Sequence, residues 1–309
     1  MKGFVMGSDQ RVVRCARVSF GKDEQVDRER DIKLISYLLR HRHASPFEHV
    51  IIAMEGSKDL WLRIVGDLPS PAVQVYYSGN YLWLNLRNYI NARELFPEEL
   101  ENLVSQHLPA TMSLFMGKEP EGYSTDDTYL KEKLETSSGW VGLVDSLELG
   151  TDMDYYTFVV ECPLFVARQW HRHRFGSYNE ISRRYVDYEP DFYAPTYLRK
   201  QAHSNKQASL EEAVGEPWNS LFLKKINWYV QDLKELYKAM MEKGVARELA
   251  RGILPQFMKT RFYWTVPRVS LDNFITLRTH EGAQKEIREF ALAIESLVGY
   301  RGSDKKLRL

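Results

Sequence analysis

Residues 172–182 read RHRFGSYNEIS, and Arg183, Arg184 and Tyr185 continue the run. Between 168 and 184 the chain carries Arg168, His171, Arg172, His173, Arg174, Arg183 and Arg184 against a single acid, Glu180. A guanidinium presents a planar fork that matches phosphate oxygens two at a time, so this density points to a bound anion. Each charge-assisted bond contributes roughly 1.5–3 kcal/mol where water is excluded. Asn179 and Ser182 add directional hydrogen bonds of the kind that read a base or a ring edge. A phosphorylated heterocycle is the ligand class these residues imply. The plain alternative is a surface loop of salt bridges, weakened because one local carboxylate cannot pair so many arginines.

Other chemistries fit less well. Ser182 as a nucleophile needs a base within reach and a third group to orient it. His173 is a conceivable base, but no GxSxG elbow surrounds the serine, so ligand contact is the favoured role. His41, His43 and His49, with His171 and His173, raise the question of a metal. Alternate spacing puts them on opposing helix faces and HExxH is absent, so no metal is expected. Cys162 precedes Pro163 and a helix start, which can activate a thiol, yet a buried structural cysteine is the favoured reading.

The chain has 309 residues and no net charge at pH 7, so a basic site must be local rather than part of a global field. Its length allows one large domain or two modest ones. No apolar run approaches a membrane span and the N-terminus has no apolar signal core, so a cytoplasmic protein is expected, with no membrane partner. Cys15 and Cys162 lie far apart with no CxxC pair, which argues against a disulfide framework.

Helical spacing runs through 28–42 until Pro46 breaks it. Residues 157–160, TFVV, read as a short strand. A helix over PLFVARQWHRHR (163–174) would start at Pro163 and end at Gly176, with Arg168 and Arg172 one turn apart, as are Gln169 and His173. Residues 200–217 read as a surface connection. A long amphipathic helix follows, with Ile226, Val230, Leu233, Tyr237 and Met240 on one stripe and Gly244 at its C′ position. VARELARGILP predicts another helix stopped at Pro255, RFYWTV (261–266) a strand, and 270–298 mainly helix. Residues 57–153 differ from the rest in being proline-rich, with short helical pieces and a polar, loop-rich stretch at 122–139. The fold class expected is α+β, helix-rich with a small central antiparallel or mixed sheet.

RHRFGSYNEIS resembles the RHR-x7-S signature of the flavin-dependent thymidylate synthases, and the fuller form RHR-x2-S-x-N-E-x-S-x-R-Y is met at every position. ARVSF (16–20), HASPFEH (43–49), ARGILP (250–255), TRFYWTV (260–266), LDNFITLR (271–278) and AQKEI (283–287) extend the likeness, in order, over about two-thirds of the chain. The resemblance implies methylation of dUMP to dTMP, with methylenetetrahydrofolate giving the carbon and reduced FAD the hydride, and NADPH re-reducing the flavin. It implies a homotetramer whose active sites combine several subunits, and no nucleic-acid partner. Carried over by position, Arg278 would hold and polarise the uracil as the catalytic residue. Gln169, Arg172, Glu180, Ser182, Arg183, Arg184 and Arg251 would also contact dUMP. Ser45, Arg172, His173, Arg174, Glu180 and Asn273 would hold FAD, with Ser19 and Asn179 in support and His43 near the flavin ring.

The resemblance has departures. Where the family commonly shows Asn-x-Arg against FAD, this chain has Pro267, Arg268 and Val269, and Gly282 stands where a histidine is frequent. On this reading residues 1–56 and 154–309 form the synthase domain and about 100 residues, 57–153, are an insertion of unknown role near the mouth of the site. Within it, 76–93 resembles a segment that some relatives carry near the C-terminal FAD contact, so Asn80 or Arg87 would replace the lost donors. A catalytically inactive nucleotide- or RNA-binding relative is the alternative, disfavoured by neutral charge and the absence of an RNA-binding sheet motif.

Overall fold

The computed structural model describes residues 2–186, 188–202 and 209–299. β1 (Gly3–Met6) leads into α1 (Asp9–Arg17) and α2 (Arg28–Arg40). Ser8 and Asp27 cap these helices by accepting from the main-chain N–H of Arg11 and Arg30, which satisfies donors a helix start leaves free. The break expected at Pro46 is present: α2 stops, Arg42 takes a φ of 56°, and Ser45–His49 form a 3-10 turn. β2 (Ile51–Glu55) follows.

The segment 57–153 supplies α3 (Lys58–Gly66), β3 (Tyr76–Ser78), β4 (Tyr81–Asn85), α4 (Leu86–Ala92), α5 (Glu98–His107), α6 (Pro109–Phe115), β5 (Glu132–Thr136) and β6 (Gly139–Leu147). Its strands enter both large sheets of the described residues. One is four-stranded in the order β1-β2-β4-β3. The other is five-stranded, β5-β6-β7-β11-β8, with β7 at Tyr155–Pro163, β8 at Ser177–Glu180 and β11 at Lys259–Pro267. All these pairings are antiparallel. The α+β class holds, with sheets larger than sequence periodicity predicts. Polar residues 122–139 include β5 because its partner β6 completes the hairpin. At Gly139 a Cβ would stand 1.9 Å from the Glu161 carbonyl oxygen, so only glycine lets β6 approach β7 there.

The second half departs from the sequence reading in four places. The strand expected at 157–160 runs the full length of β7, because β6 and β11 flank it on both sides. The helix expected over 163–174 is only α7 (Leu164–Trp170), and Pro163 closes β7 rather than opening a helical turn. After Trp170 the chain must turn so that Ser177–Glu180 can pair with Phe262–Thr265, so the RHR triplet sits in a turn and the stretch expected as loop is β8. The helix expected over 270–298 is two, α10 (Arg268–Thr279) and α11 (Lys285–Leu297).

Between β8 and β11 lie β9 (Arg199–Gln201), β10 (Ser209–Ala213), α8 (Trp218–Glu242) and α9 (Arg247–Ala250), with a 3-10 turn at Arg251–Ile253 in place of a longer helix. β9 and β10 pair within the 200–217 connection, of which 203–208 lie outside the described residues. Gly244, at φ 78°, occupies the C′ position after α8 as expected. Along α8 only Tyr237 is fully buried, while Trp218, Phe222, Trp228 and Tyr229 are exposed. One apolar core joins α1, α2, β2 and β4 to the 57–153 helices, and a second fills the space between β7, β11, α7, α10 and α11. Trp170 anchors the second, packing at 4.7–5.7 Å between ring centres against Phe262, Trp264, Phe274 and Phe290.

Candidate active site

The motif is held from beneath by a buried hydrogen-bond chain. Asn179, on β8, donates through Nδ2 to the Cys15 carbonyl at 2.9 Å. Its Oδ1 must therefore accept, from His49 Nε2 at 3.2 Å. His49 Nδ1 then accepts from the Thr265 hydroxyl at 2.8 Å, and Thr265 accepts from Thr157 at 2.8 Å. This chain ties the 3-10 turn, β8, β11 and β7 together, and it is closed only with a neutral imidazole. Burial accordingly pushes the His49 pKa down to about 3. Ser19 clasps the next residues: its hydroxyl donates to the Glu180 carbonyl at 3.1 Å and its own carbonyl accepts from Ser182 N at 3.0 Å. Thr260 donates to Glu180 Oε1 at 2.5 Å.

Above this platform Arg278, His173, Gln169 and Arg172 converge. Arg278, in the last turn of α10, donates from Nε to His173 Nε2 at 3.1 Å and from Nη2 to the Gln169 carbonyl at 3.1 Å. His173 Nε2 is thus an acceptor, and burial together with the Arg278 charge lowers its pKa to about 4. Burial and the charge of Arg172 lower the Arg278 pKa too. Among the described residues no carboxylate pairs with Arg278. A guanidinium aimed by two neutral acceptors and left without a counter-ion is an anion-stabilising group in waiting. Gln169 Nε2 donates to Gln284 Oε1 at 2.6 Å.

The remaining expected residues divide. Ser182 Oγ accepts from Arg184 N and Nε at 3.4 Å, and Arg184 lies over the Tyr185 ring, both exposed. Arg183 is buried and its described contacts are internal: it donates to the Tyr188 carbonyl at 2.8 Å and lies over the Tyr188 ring. His43 and Ser45 are exposed at the end of α2, Asn273 is exposed on α10, and Arg251 is exposed after α9. No described hydrogen bond ties these four side chains to the motif within one chain.

Arg174 lines a cleft of about 220 Å³ that also includes Pro267, Gly176, Tyr76 and Arg87. Arg87 donates to Glu48 Oε1 at 2.5 Å, so the 57–153 segment brings a cation to the wall where Pro267 offers no N–H. Arg268 is engaged instead with Asp272 at 2.8 Å and with Tyr156, and Asn80 does not line the cleft. Both cysteines are buried, with thiols pushed up by desolvation. No cluster of three or more His, Cys, Asp or Glu with metal-binding geometry occurs among the described residues, and no helix there is long and apolar enough to cross a membrane. Sequence reading missed His49 as a structural group, and it gave no role to Gln284 and Glu286, although both lie in the AQKEI stretch.

The histidines predict an acid sensitivity. His49 and His173 have native pKa values below the unfolded value of about 6.5. The unfolded chain therefore binds more protons, and stability falls as pH drops through 6.5 toward the native values. The slope is at most about 1.4 kcal/mol per pH unit per extra proton. Denaturation measured from pH 7.5 to 4.5 will show this decline, and His49→Gln will make it shallower; an unchanged slope would overturn the assignment.

Comparison with known proteins agrees with the site. The family described as thymidylate synthase complementing protein matches residues 4–57 and 151–299. The flavin-dependent thymidylate synthase of Aquifex aeolicus is 61% identical across 99% of this chain and 99% of its own length. That of Thermus thermophilus is 32% identical across 97% of this chain and 73% of its own, and that of Thermotoga neapolitana is 29% identical across 96% and 85%. A solved UMP/dUMP methylase from Streptomyces cacaoi, 20% identical with a TM-score of 0.42 over 96% of this chain and 89% of its own, is too distant to bear on fold or ligand. With its motif, its arginine–histidine junction and relatives matched end to end, this chain belongs to the flavin-dependent thymidylate synthase family.

Proposed function

We propose that the chain converts dUMP to dTMP, taking the carbon from methylenetetrahydrofolate and the hydride from FAD reduced by NADPH. The observation that carries this reading is the uncompensated Arg278 guanidinium, held by neutral His173 and the Gln169 carbonyl. Its free N–H groups stabilise negative charge developing on the uracil ring as N3 ionises. Arg172, Glu180, Ser182 and Arg184 orient the nucleotide, the arginines toward its phosphate. FAD, when bound, supplies the redox chemistry. The cleft's donor set fits such an anionic dinucleotide: Arg174 and Arg87 offer charge, and the carboxamides of Gln74, Asn85 and Asn88 offer both donors and acceptors.

The working form on this reading is a cytoplasmic homotetramer. The exposed aromatic face of α8 supports it, as do Arg251 and His43, which a single chain leaves unconnected to the motif. The segment 57–153 shapes the mouth of the flavin cleft. Arg87→Ala will weaken FAD binding about tenfold, the loss of one charged hydrogen bond, while Asn80→Ala will not. Flavin titration by absorbance measures both, and unchanged affinity in Arg87→Ala removes the segment from the cofactor site.

The test of the whole reading is the visible spectrum of the protein loaded with FAD, before and after dUMP, followed by assay of dTMP. A flavin band that shifts with dUMP supports a shared site. Protein that takes up no flavin would refute it.

A further inference from the structure

Glu286, in the first turn of α11, is nearly buried, and both its oxygens accept from Arg199 of β9, Oε1 from Nη1 and Oε2 from Nη2, each at 2.9 Å. Burial alone would raise this carboxyl, but the Arg199 hydrogen bonds outweigh it and hold the group ionised. A carboxylate can only accept. Gln284 must therefore turn its NH2 toward Glu286, and Nε2 donates to Oε2 at 2.9 Å. That leaves Gln284 Oε1 facing the other way, where it accepts from Gln169 Nε2 at 2.6 Å. The second N–H of Gln169 is directed at the Phe165 carbonyl at 3.4 Å. Both donors of Gln169 are thus committed, and its Oε1 is the atom left for a ligand beside Arg278.

We propose that Arg199 is a positioning residue for the nucleotide site: through Glu286 and Gln284 it sets the amide of Gln169 so that Oε1 is presented to dUMP as an acceptor. This rests on the function proposed above and deepens it. An acceptor there receives an N–H or O–H of the nucleotide, the uracil imide or a sugar hydroxyl, and repels phosphate oxygen. Gln169 therefore helps select a ring or sugar donor, and the phosphate must lie with the arginines. The relay also explains why a surface-proximal hairpin carries a bidentate, nearly buried ion pair, a costly arrangement unless the geometry it imposes is used.

The test is a double-mutant cycle on FAD-loaded protein, with dUMP affinity measured by titration calorimetry. Glu286→Gln, which can donate as well as accept, and Arg199→Ala will each weaken dUMP about tenfold, and Arg199→Lys will recover part of the loss. In a Gln169→Ala background neither change will weaken dUMP further, because the group they orient is gone. FAD affinity will be unchanged throughout. If Arg199→Ala fails to fold, Glu286→Gln and Arg199→Lys carry the same cycle. Equal losses in the presence and absence of Gln169, or no loss at all, overturn the proposal. Wild-type protein that binds FAD but not dUMP would overturn the functional reading and this proposal with it.

Discussion

Arg278→Ala will lower kcat/KM for dTMP formation by about 10²–10³-fold, the usual cost of removing one preorganised donor from a developing negative charge. The side chain is fastened at Nε and Nη2, so its position is set before substrate arrives. Lysine will not substitute, because an ammonium on a flexible stem cannot make both bonds and keep a donor for the ring. The same replacement removes the charge that helps depress His173, so that imidazole will titrate above its native value of about 4. Steady-state kinetics at matched flavin content, with an NMR titration of His173, checks both statements. A loss smaller than about tenfold, or an unmoved His173, means that Arg278 does not do this chemistry.

Asp9→Ala will be the most destabilising single change outside the active site, at about 3–5 kcal/mol. Asp9 is fully buried in the first turn of α1. Its Oδ1 accepts from Thr111 N at 2.8 Å and Thr111 Oγ1 at 2.6 Å, and its Oδ2 from Ala110 N at 3.1 Å and Ser124 N at 2.9 Å. Two of these donors are the free N–H groups at the start of α6, which no intrahelical carbonyl can satisfy. Alanine would strand all of them in the core and unfasten the 57–153 segment from α1. Thermal unfolding will move down by roughly 10 °C. A shift of less than about 2 °C would show that water or a rearranged loop takes over the donors.

How much of this is legible in the sequence differs by residue. The motif 172–184 is legible because arginine, histidine and one carboxylate at that density have few uses, and the family resemblance rests on the same letters. β7, β11, α2 and α8 are legible from local periodicity, and Pro46 and Gly244 mark real breaks. The path of the motif is not. Local propensity favours a helix through His173, yet the edge of β11 captures Ser177–Glu180 and the helix stops at Trp170. Arg183 looks like Arg184 in the sequence, but one is buried against Tyr188 and the other is exposed.

Residues distant in sequence show the same limit. His49 reads as a spare imidazole, and only its contacts with Asn179 and Thr265, 130 and 216 positions away, make it the neutral centre of a closed chain. Nothing local predicts that Arg199 meets Glu286, or that Arg87 shares a cleft with Arg174 and Pro267. The sequence by itself determined which chemical groups the protein brings to an anionic nucleotide and a flavin, since side-chain identity sets charge, donors and acceptors. The tertiary structure alone decided which of those groups are neutral, which are aimed and which are buried. Those properties depend on desolvation and on partners that strand pairing brings within about 3 Å.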